Sequence, residues 1–132
     1  LTASPAFVAR HFPKGLTPAA LAKAPAVAFD QRDDMHVSFM ARHFALAPGG
    51  YPCHTVRSSE AFVAMAEQGL ACCLIPELQI RQQLAQGLLL DLSPDLHLVE
   101  RLYWHRWVLE RGLHKQISQR LIEQGRRALQ PR

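Results

Sequence analysis

The sequence predicts an α/β domain with a largely parallel sheet, and three features of it lead there. Short apolar runs alternate with helix-length amphipathic segments along the whole chain. Residues that start and stop helices punctuate nearly every junction. Finally, no Asn-Gly or Asp-Gly pair offers a tight hairpin, so neighbouring strands are expected to be joined by helical crossovers.

Taken in order, Ser4-Pro5 opens a short helix over SPAFVARHF that ends at Pro13-Lys14-Gly15. Thr17 and Pro18 have the pattern of an N-cap and first helical residue, and that helix stops before Pro25. Ala26 to Phe29 is a short apolar strand. Asp33-Asp34 then starts the helix MHVSFMARHF, with Met35, Phe39 and Met40 on its apolar side. His54 to Ser58 alternates like a strand, and Ser58-Ser59-Glu60 caps the helix AFVAMAEQ, which Gly69 ends. The run LACCLI is a buried strand, ELQIRQQLAQ a helix stopped by Gly87, and LLLDL another strand. After the turn Ser93-Pro94-Asp95 come an aromatic strand, RLYWHRWVL, and a final amphipathic helix.

With 132 residues, 48% hydrophobic and 20% charged, the chain has one domain's worth of ordinary globular material. No uncharged apolar run approaches the roughly 18 residues of a membrane span. The N-terminal LTASPAFVAR lacks the pattern of a secretory signal, and the chain reads as the back part of something longer. The net charge of +4 is uneven: residues 1–99 sum to −1 and residues 100–132 to +5. In that tail Arg111, Lys115, Arg120, Arg126 and Arg127 interleave with Leu113, Ile117 and Leu121 at helical spacing, the pattern of a solvated face rather than a nucleic-acid contact.

Three cysteines with no CxxC or HxxxH spacing exclude structural zinc from the expectation, and reduced thiols point to a cytoplasmic protein. Catalysis is not expected either. Ser58 and Ser59 lack a GxSxG elbow, the Cys53-His54 side chains diverge on a strand, and Gly49-Gly50 lack a phosphate-loop context. No cofactor is implied.

Two helix starts that directly follow strands remain. One carries Asp30, Asp33 and Asp34, the other Ser58, Ser59 and Glu60. In open α/β sheets ligands settle beyond the carboxyl ends of strands. Hydroxyls and free N–H groups at a helix start suit a carboxylate, while acids suit a cation. Together they would hold a small zwitterion with a basic side chain. The alternative is that all six residues only cap helices.

The stretch SSEAFVAMAEQGLACCLIPELQIRQQLAQGLLLDL resembles the second subdomain of the effector-binding domain of LysR-type transcriptional regulators. SPAFVARHFPKGLT, AFDQRDDMH, PCHTVRSSEAFV and LYWHRW are closer still to their arginine/lysine-responsive members, the chromosome replication initiation inhibitor type. The resemblance implies a periplasmic-binding-protein-like fold. Residues 1–100 would be the second α/β subdomain, and residues 101–132 the return strand and C-terminal helix of the first, with the helix-turn-helix absent. It further implies a homodimer or homo-oligomer, DNA contact only through the missing N-terminal domain, and an effector such as lysine or arginine. It adds Ser4, at the crossover, to the effector-binding candidates. Cys72 and Cys73 are expected in the core, as are Trp104 and Trp107 in a core or dimer contact. An amino-acid solute-binding protein fragment is the alternative of like architecture.

Overall fold

The structure, a computed structural model, describes residues 1–30, 33–96 and 98–129. Gln31 and Arg32 of the AFDQRDDMH motif, and residues 130–132 of the expected return segment, lie outside the described residues. The chain divides into two units, Leu1–Leu98 and Val99–Arg132.

In the larger unit the elements run β1 (Thr2–Ala3), α1 (Pro5–His11), α2 (Pro18–Leu21), β2 (Ala26–Ala28), α3 (Asp34–Phe44), β3 (Cys53–Thr55), α4 (Ser59–Glu67), β4 (Cys72–Cys73), α5 (Glu77–Ala85) and β5 (Leu90–Asp91). The capping chemistry is met at four of the five helices. Ser4 Oγ accepts from Phe7 N–H at 3.3 Å, and Thr17 Oγ1 from Ala20 N–H at 3.2 Å. Asp33 and Ser58 cap α3 and α4, each accepting a backbone N–H at 3.2 Å. Each such cap satisfies a donor that the first helical turn leaves without an intrahelical partner. Gly69, where the chain leaves α4, has φ +68°, and a Cβ there would lie 3.0 Å from Ser4 Oγ. Glycine is therefore required twice over, by backbone and by space.

The five strands form one sheet in the order β3-β2-β4-β1-β5. β2 runs parallel to β3 and β4, but β1 runs antiparallel to β4 and β5. The sheet is mixed rather than largely parallel, because the two-residue β1, too short to read from sequence, enters from the opposite direction between β4 and β5. The other strands are also shorter than their apolar runs: Phe29 lies beyond β2 and is 43% exposed.

Side-chain alternation sends neighbouring strand residues to opposite faces. Ala26 and Cys72 join Phe7, Phe12, Leu21, Phe39, Met40 and Phe44 on one side, under α1, α2 and α3. Val27 and Cys73 join Phe62, Ala66, Ile80 and Leu89 on the other, under α4 and α5. Both thiols are fully buried, as expected; burial pushes Cys72 up to about 12 and Cys73 higher still. On α3 the buried stripe runs through His36, Phe39, Met40 and Phe44, while Met35 is 47% exposed. Phe39 and Met40 are buried as expected, and His36 rather than Met35 completes the stripe, because a histidine takes the place an aliphatic residue would mark.

The second unit differs from expectation more sharply. No strand forms between residues 101 and 107; the segment is irregular and leads to α6 (Gly112–Leu129). A strand needs a ladder partner for its N–H and C=O groups, and within this unit there is none among the described residues. Trp107 is 86% exposed. Trp104 is half exposed, and its Nε1–H donates to Ser118 Oγ on α6 at 3.0 Å. Ser118, nearly fully buried, in turn donates to Glu110 Oε1 at 2.7 Å. The expected core packing of both tryptophans is thus not made within this unit.

Candidate ligand-binding edge

The site is built by two parallel neighbours. Register pairs Ala28 of β2 with Thr55 of β3, so both strands end level and their following turns open on the same edge of the sheet. Val56 N–H continues the ladder to Ala28 O at 3.1 Å. Two positions beyond the last paired residues stand Asp30 and Arg57. There Arg57 Nε meets Asp30 Oδ2 at 3.0 Å. This ion pair joins the two turns. Its members differ in exposure: the Arg57 side chain is 68% exposed and that of Asp30 30%.

The remaining residues at this edge are largely engaged in building it. Asp33 uses both carboxylate oxygens, Oδ2 accepting from Phe29 N–H at 3.1 Å and Oδ1 from Met35 N–H. It therefore staples the end of β2 to the start of α3. Asp34 is the exposed first residue of α3, where a negative charge faces the positive end of the helix dipole. Ser58 Oγ accepts from Ala61 N–H and donates to Glu60 Oε2 at 2.9 Å. The Glu60 backbone N–H and that Ser58 hydroxyl both favour the Glu60 carboxylate and hold its pKa below the usual range, although the side chain is exposed. Ser59 is exposed at the first position of α4.

Ser4 is not part of this constellation. β1 is antiparallel to β4, with Thr2 opposite Cys73, while β2 is parallel to β4, with Val27 beside Cys73. Leu1 is therefore level with Ala28, and Ser4 lies three residues toward the other edge, on the order of 10 Å along the strands. Asp30, Asp33, Asp34, Ser58, Ser59 and Glu60 are brought to one edge, and Ser4 faces the opposite one.

Two groups near this edge were missed in the sequence. Arg57 reads there as the last polar residue of an alternating strand, and only the β2–β3 register reveals its partner. His36 lies one turn into α3, 1% exposed, its ring 5.7 Å from that of Tyr51, and neither ring nitrogen has a hydrogen-bond partner among the described residues. Burial lowers its pKa, outweighing the opposing pull of the Asp33 charge. Burial, with the nearby Cys53, Cys72 and Asp33, pushes the Tyr51 phenol up to about 12. No group of three or more His, Cys, Asp or Glu side chains among the described residues is placed to hold a metal ion.

The fold superposes on solved transcriptional regulators. ArgP from Mycobacterium tuberculosis superposes with a TM-score of 0.80 at 34% identity, over 97% of this chain and 42% of that one. The LysR-type regulator LysG from Corynebacterium glutamicum, solved with bound effector Arg, superposes at 0.67 and 22% identity, over 97% and 42%, a likeness of fold. The HTH-type transcriptional regulator ArgP of Aeromonas salmonicida is 91% identical over 131 residues, 99% of this chain and 44% of that protein. No family model matches the chain.

The chain belongs to the LysR-type transcriptional regulators, in the effector-binding domain. Within that family its relatives are the ArgP regulators. It spans less than half the length of the curated relatives it matches.

Proposed function

We propose that this chain is the effector-sensing part of a transcriptional regulator that responds to a basic amino acid, arginine or lysine. The observation that carries the reading is the level ending of β2 and β3. It places acids from one turn and helix-start donors from the next side by side on one edge. The effector's α-carboxylate would meet the start of α4 at Ser58, Ser59 and the first N–H groups. Its side-chain cation would meet Asp30, with Asp33 and Asp34 adding negative potential. Ser4 enters as the cap of α1 and a packing partner of Gly69 rather than as a contact. The reading is supported by LysG of Corynebacterium glutamicum, a protein of like fold solved with bound effector Arg.

In this reading residues 1–100 are the second subdomain of the effector domain, and residues 101–132 return to the first. The exposure of Trp104, Trp107 and Val108 supports burial of that return segment against the rest of a full-length regulator. Such a regulator would act as a cytoplasmic homodimer or homo-oligomer and touch DNA through an N-terminal domain. It would act by binding, without catalysing a reaction. No helix among the described residues is long and apolar enough to cross a membrane. The test is calorimetric titration of a full-length regulator carrying this sequence as its C-terminal part. Arginine or lysine should bind, and neutral amino acids of similar length should bind at least about tenfold more weakly. Equal affinity for both groups refutes the reading.

A further inference from the structure

We propose that Arg57 is a built-in competitor for the cationic effector: its guanidinium pairs with Asp30 and must be displaced before a basic amino acid reaches that carboxylate. The inference rests on the effector reading above and deepens it by naming a residue that sets affinity and charge selectivity.

Three observations support it. The pair follows closely on the Ala28–Thr55 pairing, two residues beyond it on each side, and Arg57 Nε meets Asp30 Oδ2 at 3.0 Å. A partner of Asp30 is a guanidinium, chemically the group that an arginine effector would present there. The two sides of the pair are unequal, with Arg57 68% exposed and Asp30 30%. The cation can therefore swing into water and be rehydrated, while the acid stays at the edge. Exposed ion pairs are weak. A weak tethered cation gives an exchangeable partner: it neutralises Asp30 when the effector is absent and yields to a ligand that makes further contacts with α4. A neutral amino acid has no cation to offer Asp30 and gains nothing from displacing Arg57. The competitor therefore costs affinity for basic ligands alone.

The experiment uses a full-length ArgP-type regulator carrying this sequence, titrated with arginine, lysine and citrulline, the last an uncharged isostere of arginine. Arg57→Gln should tighten arginine and lysine about three- to tenfold and leave citrulline unchanged, and Arg57→Lys should stay near the parent. Thermal unfolding of Arg57→Gln should stay near that of the parent, since the side chain is largely in solvent. If Arg57→Gln leaves arginine affinity unchanged, or weakens it, the competitor role is overturned while the effector reading stands. Equal tightening of citrulline also overturns it, because the effect is then not one of charge. Failure of arginine and lysine to bind the parent protein overturns both readings.

Discussion

Leaving alanine aside, the two units of this chain carry similar proportions of apolar residues and end in opposite states. In the larger unit, Phe7, Leu21, Phe39, Met40 and Ile80 are all within 1% of complete burial, packed on the two faces of one sheet. In the second, Leu102, Tyr103, Trp107, Val108 and Leu109 are each at least 73% exposed. The difference in burial follows not from the share of large apolar side chains but from whether the unit supplies a second layer. The strands of the first unit find ladder partners and helices within 98 residues, whereas the described residues of the second unit form one helix and no strand. An apolar pattern thus specifies a buried face without specifying what buries it.

The largest expected effect that would break this contrast is a pair of truncations. Phe39→Ala should cost about 3–5 kcal/mol of unfolding free energy, through lost burial and the cavity left behind. Trp107→Ala in the same chain should cost less than about 0.5 kcal/mol. Urea unfolding measures both, and a large cost at Trp107 would mean that the second unit has a core of its own.

His36 sharpens the contrast by pH. Burial holds its folded-state pKa below the usual 6.5, so the folded chain keeps the ring neutral where the unfolded chain would protonate it. Its contribution is intact above pH 6.5 and is lost as pH falls from there toward the lowered folded-state value, by at most about 1.4 kcal/mol per pH unit. Denaturation midpoints between pH 7.5 and 5 should show this slope. Arg42→Ala should leave it in place and His36→Phe should reduce it, leaving the part that His11, whose pKa burial also lowers, contributes.

Helix ends come next in size. Ser58→Ala should cost about 1 kcal/mol by removing the α4 cap. Ala45, which closes α3 in the left-handed region at φ 55°, should be improved by glycine, with Ala45→Gly raising stability by up to about 1 kcal/mol. The smallest change is one of rate alone. The exposed Cys53 should react with a thiol reagent in the native state, while Cys72 and Cys73 should wait for unfolding. Native labelling of either buried cysteine would contradict the two-sided core.

How much of this was legible in the sequence divides along the same line. Caps were readable because they are local: Thr17-Pro18, Asp33 and Ser58 announce themselves within four residues and bond as the spacing predicts. The opposite facing of Cys72 and Cys73 followed from strand alternation alone. What was not legible is set by pairing at long range. The direction of β1 depends on strands 70 and more residues away, and the Asp30–Arg57 pair on the β2–β3 register. The same lack of register information hides from the sequence that Ser4 lies at the other edge of the sheet from Asp30 and Ser58. The aromatic segment at residues 101–107 has the composition of a strand, but composition cannot provide a partner.

The central claim, that the effector is held at the level ends of β2 and β3, is tested most directly by arginine titration of Asp30→Asn in a full-length regulator. Asparagine keeps the shape and loses the charge. The account predicts that arginine binds about ten- to hundredfold more weakly, the worth of one charge-assisted hydrogen bond, while the unfolding temperature stays near that of the parent. Unchanged arginine affinity, with the preference for basic over neutral amino acids intact, would contradict it and place the cation site away from this edge.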